Sequence, residues 1–110
     1  MGRIYKESQV QGTAAIGTYA TLYNSPVATT TNISTIAICN TAASAATYRI
    51  AIMSTAGTPA AENWLVYGAT VAANDTVFLT VGAVMSAEKY LRVSSSADTV
   101  SFTAFVSEVS

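Results

Sequence analysis

The sequence predicts an all-β protein, an antiparallel β-sandwich or barrel of about seven strands behind an extended N-terminal arm. Three observations lead there. Apolar and β-branched residues alternate with period two in short runs, as half-buried strands require. The runs recur about every dozen residues, the spacing of sandwiches and barrels. Clusters such as "NSP", "AGTPAAEN" and "AAND" separate them with residues that form turns for local backbone reasons. A chain of 110 residues makes one domain, and at that size about 65% of the unfolded surface is buried.

Taken in order, residues 1–15 hold little core-forming material and read as an arm whose order depends on what it touches. Residues 16–110 are the single sandwich domain. The first strand is "GTYATLYN", where Thr18, Ala20 and Leu22 alternate with Tyr19, Thr21 and Tyr23; Pro26 ends it because proline donates nothing to a ladder. "NISTIAICN" sets Ile36 and Ile38 on one face and Ala37 and Cys39 on the other. "TYRIAIMS" sets Tyr48, Ile50 and Ile52 against Arg49, Ala51 and Met53. The small-residue link "TAASAA" predicts a hairpin between these two strands.

"NWLVYG" follows, with Trp64 and Val66 opposite Leu65 and Tyr67, apolar on both faces and therefore covered on both or exposed at an interface. "TVFLTVG" projects Val77, Leu79 and Val81 one way and Phe78 and Thr80 the other. In "VMSAEKYLRVS", Leu91 and Val93 alternate with Tyr90 and Arg92; the segment "GAVMSAEKYL" has residues that also suit one helical turn. "TVSFTAFVSEV" closes the domain with Val100, Phe102, Ala104 and Val106 inward. "NDTV" at 74–77 and "ADTV" at 97–100 begin strands alike, which reads as one turn used twice in a meander.

Chemistry is scarce. The chain has no histidine, which removes the commonest general base and metal ligand and every Ser/His or Cys/His arrangement. Glu62, Asp75, Glu88, Asp98 and Glu108 fall at turns, beside a lysine or near the end, so they read as turn and surface residues rather than a carboxylate pair for glycoside hydrolysis. No phosphate loop precedes a Lys-Ser or Lys-Thr pair, and no two acids lie within three residues of each other as calcium loops need. The reading is of a protein that is not an enzyme and has no catalytic, metal or cofactor site.

Charge is sparse as well. Ala, Thr and Ser fill 48 of 110 positions, and charged residues are 10%, against roughly 25% in ordinary soluble proteins. Charge keeps proteins soluble and apart, so a surface this neutral suits a chain covered by neighbours. Arg3, Lys6, Arg49, Lys89 and Arg92 are scattered, which argues against nucleic acid as a partner. The N-terminus has no apolar run of a secretory signal, and the densest apolar stretch falls well short of the roughly 20 residues of a membrane span. The lone Cys39, in "ISTIAIC", reads as a small buried hydrophobe.

Over residues 33–109, "ISTIAICNTAASAATYRIAIM" and "WLVYGATVAANDTVFLTVGAVMSAEKYLRVSSSADTVSFTAFVSEV" resemble a group of small phage virion structural proteins. Their shared pattern is a strand ending in Cys-Asn or Tyr-Asn, a Ser/Thr/Ala turn, a Tyr/Phe-Arg-Ile/Val-Ala strand, "AAND-T", and a closing "VSF-AF---EV". The resemblance implies a β-sandwich or barrel that serves either as a capsid decoration (cement) protein or as a small tail-associated protein. The expected partners are then the major capsid protein and copies of the chain itself, as a trimer, in a virion assembled in the host cytoplasm. No nucleic acid, membrane or cofactor enters. The candidate partner-binding residues are Arg3, Ile4, Tyr5 and Lys6 in the arm and Trp64 and Tyr67 beside the "GTPAAENW" loop. In a tail-fibre or baseplate protein, Trp64 and Tyr67 would instead meet host-surface carbohydrate.

Overall fold

A computed structural model describes residues 3–110. Eight strands follow one another: β1 (Arg3–Gln11), β2 (Ala20–Asn24), β3 (Thr30–Asn40), β4 (Ala46–Met53), β5 (Trp64–Val71), β6 (Asp75–Met85), β7 (Tyr90–Ser95) and β8 (Val100–Val109), with one 3-10 turn at Ala61–Asn63. They form two four-stranded sheets in the orders β1-β8-β3-β6 and β2-β7-β4-β5, and every neighbouring pair is antiparallel. The sheets face each other as a sandwich, and no barrel closes. Only β4 and β5 are consecutive and paired; every other connection crosses from one sheet to the other. Two sheets of four strands woven this way are a jelly roll.

Alternation explains the core. Ile36 and Ile38 of β3, Ile50 of β4, Leu91 and Val93 of β7, and Phe102 and Ala104 of β8 are fully buried, with Leu22, Ile33, Tyr48 and Val106 nearly so. Val77, Leu79 and Val81 pack against them from β6. In β4 the phase changes: Ala51 and Met53 are buried although they alternate with Tyr48 and Ile50, and Ile52 is only partly covered. The 3-10 turn after β4 lies against that strand, and Ala51 has Trp64 and Arg92 as its register partners.

Several expectations are corrected. Strands β3 and β4 do not form a hairpin, because "TAASA" carries the chain from one sheet to the other, and β3 pairs with β6 and β8 instead. The meander is likewise replaced: the strands begun by the two matching turns, β6 and β8, flank β3 on opposite sides, and Asn40 is the register partner of both Asp75 and Val100. Residues 86–89 form a tight turn rather than a helical one, with Glu88 at φ 66°. Cys39 is half-buried on the outer face of β3 rather than in the core.

Within the expected arm, residues 3–11 are a paired strand along the whole length of β8; residues 1 and 2 lie outside the described residues. Most of its side chains are exposed, and Val10 is its contribution to the core. Backbone ladder bonds and a few polar ties hold it there: Arg3 Nη1 donates to Ser107 Oγ at 3.0 Å, Ser8 Oγ to the Leu22 carbonyl at 2.6 Å, and Lys6 Nζ lies 3.1 Å from Glu108 Oε1. An edge strand that carries the charged side chains of Arg3, Lys6 and Glu7 resists pairing with a further chain.

Candidate functional site

Two faces of the sandwich have chemistry beyond core formation. The first is the outer face of the β1-β8-β3-β6 sheet, at irregularities in register. On β3, Ile33 faces Val106 and Thr35 faces Phe105, so Ser34 is an extra residue; on β6, Val81 and Gly82 fall between Thr80 and Ala83. Gly82 has φ 62°, the left-handed conformation of a glycine bulge. Ser34 Oγ donates to the Phe105 carbonyl at 3.0 Å and steadies the bend. The result is an open hollow of about 560 Å³ lined by Arg3 and Tyr5 of β1, Ser107 and Phe105 of β8, Asn32 of β3 and Gly82 of β6.

Large apolar side chains stand open on this face. Tyr5 is 79% exposed, Phe78 69%, Val84 63% and Phe105 41%. The register spaces them with Ser107, Asn32, Thr35 and Thr80 between, and several large apolar side chains left open on one sheet face suit an interaction surface.

The second face is the outer side of the β2-β7-β4-β5 sheet. Arg49 alternates outward between the buried Tyr48 and Ile50, and its register partner on β5 is Tyr67. Register shifts flank that pair: Gly68, at φ 77°, is extra after Tyr67, and Leu65 is extra before Val66. These bulges turn Tyr67 and Trp64 toward the same guanidinium, the re-aiming that bulges provide. Arg49 Cζ sits 4.2 Å from the Tyr67 ring centroid and 5.6 Å from that of Trp64, within cation–π range. Trp64 meets Tyr67 edge-on at 4.8 Å and Tyr19 at 5.9 Å, and Arg49 Nη1 donates to Tyr19 Oη at 3.1 Å.

Of the residues chosen from sequence, Arg3, Ile4, Tyr5 and Lys6 lie together on β1 at one edge. Arg3, Tyr5 and Lys6 line the hollow, and Lys6 also pairs with the buried Glu108; Ile4 is not part of its lining. Trp64 and Tyr67 lie together on the other sheet, so the structure makes two faces of the set rather than one site. Sequence reading missed Arg49 and Arg92 on the second face and Phe105 and Gly82 on the first. The outward set of "TYRIAIMS" was the available signal for Arg49; nothing local marks Gly82. Among the described residues, no three His, Cys, Asp or Glu side chains group as a metal site, and no helix is long and apolar enough to cross a membrane.

No family model matches the chain, and no curated protein matches it in sequence. Among solved structures, a chain in the structure of infectious bursal disease virus, Gx strain, is similar with a TM-score of 0.51 at 11% identity, covering 97% of this chain and 36% of that one. A chain of the T13 particle of the same virus is similar with a TM-score of 0.41 at 13% identity, covering 96% of this chain and 30% of that one. The protein thus spans about a third of the length of these chains, and the first likeness is one of fold.

Proposed function

We propose that the protein is a structural component of a virus particle, and within that class a decoration protein that binds the assembled shell and stabilises it through lattice contacts. The observation that supports this most is the bare apolar face of Tyr5, Phe78, Val84 and Phe105 on a chain with 10% charged residues. Such a face is suited to being covered. The jelly roll shared with a chain of a virus structure agrees with the reading, as does the resemblance to small phage virion proteins, although a fold by itself hosts many functions. On a lattice, weak contacts repeated among neighbours add through effective concentration. Shell protein and further copies of the chain, arranged as a trimer, are the partners this reading assigns.

The test is reconstitution. Shells assembled without the chain are mixed with the purified protein and pelleted. Saturable co-sedimentation is expected, and it is lost on Phe78→Glu or Phe105→Glu while the circular dichroism spectrum stays that of a β protein. Absence of binding to shells removes the decoration role.

A second reading, a tail-associated module that touches host-surface carbohydrate, is favoured by the Arg49, Trp64 and Tyr67 cluster.

A further inference from the structure

We propose that the outer face of the β2-β7-β4-β5 sheet binds a carboxylate-bearing saccharide, with Tyr67 as the stacking platform and the guanidiniums of Arg49 and Arg92 as the carboxylate grip. The proposal deepens the second reading above and rests on it for the source of the sugar.

The charge distribution is the starting point. Arg49 and Arg92 both alternate outward on neighbouring strands, and Arg49 pairs in register with Ser94, two residues from Arg92. Diagonal neighbours of this kind are within reach of long side chains. Among the described residues, no acid lies within ion-pair distance of either guanidinium; the ion pair found there joins Lys6 and Glu108. A chain with six acids and five bases leaves these two like charges side by side without a counter-ion. An anion placed between them relieves their repulsion.

The guanidiniums are also held in place. Arg49 Nη1 is tied to Tyr19 Oη at 3.1 Å and Arg92 Nη1 to Thr21 Oγ1 at 2.7 Å. The Nε of each is buried without an acceptor, so the terminal nitrogens are the donors left to a ligand. Arginine suits a carboxylate because its planar fork matches two oxygens.

Tyr67 selects a ring over a bare ion. One face of the phenol is covered by Arg49, and the side chain is still 62% exposed. The C–H face of a pyranose packs on the face of the phenol that Arg49 leaves open, and a carboxylate carried past the ring's edge meets the terminal nitrogens of the guanidiniums. The glycine at 68, with φ 77°, lets β5 turn Tyr67 to that position.

The experiment is titration of the isotope-labelled full-length protein, followed by two-dimensional amide NMR. The acidic probes are the methyl α-glycoside of N-acetylneuraminic acid and a short oligogalacturonate. Methyl galactoside, inorganic phosphate and a hexaglutamate peptide are the controls. Saturable shifts centred on Tyr19, Arg49, Trp64 and Tyr67 are expected with at least one acidic sugar, diminishing as salt is raised. Tyr67→Ala and Arg92→Gln, both at exposed or half-exposed positions, keep the spectrum of a folded protein and weaken binding roughly tenfold or more, as loss of a charge-assisted contact does.

Equal response to methyl galactoside overturns the acidic specificity and leaves the carbohydrate reading standing. Equal response to phosphate or to hexaglutamate overturns the proposal in favour of an anion or protein contact. Silence toward every sugar overturns both the proposal and the carbohydrate reading, while shell reconstitution decides the decoration role separately.

Discussion

The hydroxyl of Thr99 donates to the side-chain carbonyl of Asn40 at 3.1 Å, and that bond ties the last residue of β3 to the turn that starts β8. Asn40 is 1% exposed. Its oxygen also accepts from the Ala42 amide at 3.1 Å, and its nitrogen donates to the carbonyls of Ser44 at 2.9 Å and Ala72 at 3.3 Å. One side chain therefore closes the crossover after β3 and the ends of two other connections. Asn40→Ala is expected to cost about 2–4 kcal/mol, since it strands several buried partners. Thr99→Val removes one bond and costs about 0.5–1.5 kcal/mol. Urea unfolding of the two single variants and the double variant checks this; coupling near zero would refute the shared network.

Gly12 is fixed by space. Its amide donates to the Val100 carbonyl at 2.6 Å, and an added Cβ would come within 2.6 Å of that same oxygen and collide with Ser95 Oγ. Gly12→Ala is expected to destabilise by about 1–3 kcal/mol, as overpacking does. Gly17 has nothing within 4 Å of such a Cβ. Gly17→Ala should then be neutral or stabilising by up to about 1 kcal/mol through the unfolded chain. Thermal unfolding of the pair makes the comparison, and equal losses would contradict it.

Strand alternation was legible because it depends on one residue and its neighbours: Ile36 with Ile38, Leu91 with Val93, and Val100, Phe102, Ala104 and Val106 face inward as the period requires. Connectivity was not legible. A short run of small residues such as Thr41–Ala45 serves a hairpin or a sheet-to-sheet crossing equally well, and what decides is the Asn40 network, whose partners at 72 and 99 are distant in sequence. β1 escaped notice because it buries almost nothing and is held by its backbone. The Arg49 cluster was half visible: Trp64 and Tyr67 stood out by type, but apolar residues on both faces of β5 hid which face was outward. Bulges at Gly68 and Gly82 alter register without a distinctive local pattern.

Lys6 and Glu108 predict the energetics of the edge. The Glu108 side chain is 7% exposed, and its Oε2 has no hydrogen-bond partner, so Lys6 is its main compensation. Lys6→Ala is expected to cost about 1–3 kcal/mol, less than a fully buried pair because the lysine is itself half open to solvent. Glu108→Gln with Lys6 retained should cost less, since no charge is then left buried. A reversed order in chemical denaturation would contradict this account of the edge.

Tyr48 gives a pH dependence with a defined sign. Burial raises its phenol above the usual value of 10.0. Below pH 10 the group is neutral in both folded and unfolded chains and stability is unaffected by it. Above that, the unfolded chain ionises first, so stability is lost as pH rises toward the folded value. Tyr48→Phe should flatten the fall in melting temperature above pH 10; an unchanged slope would assign the fall to other groups.

Copy number is the most direct test of the central claim that this jelly roll is a shell component. Under the proposed reading, the chain is quantified by mass spectrometry against the major capsid protein in purified particles of the virus that would encode it. The account predicts hundreds of copies per particle, in a constant ratio to the shell protein. A few dozen copies or fewer would contradict decoration and move the chain to the tail; absence from purified particles would contradict the structural role itself.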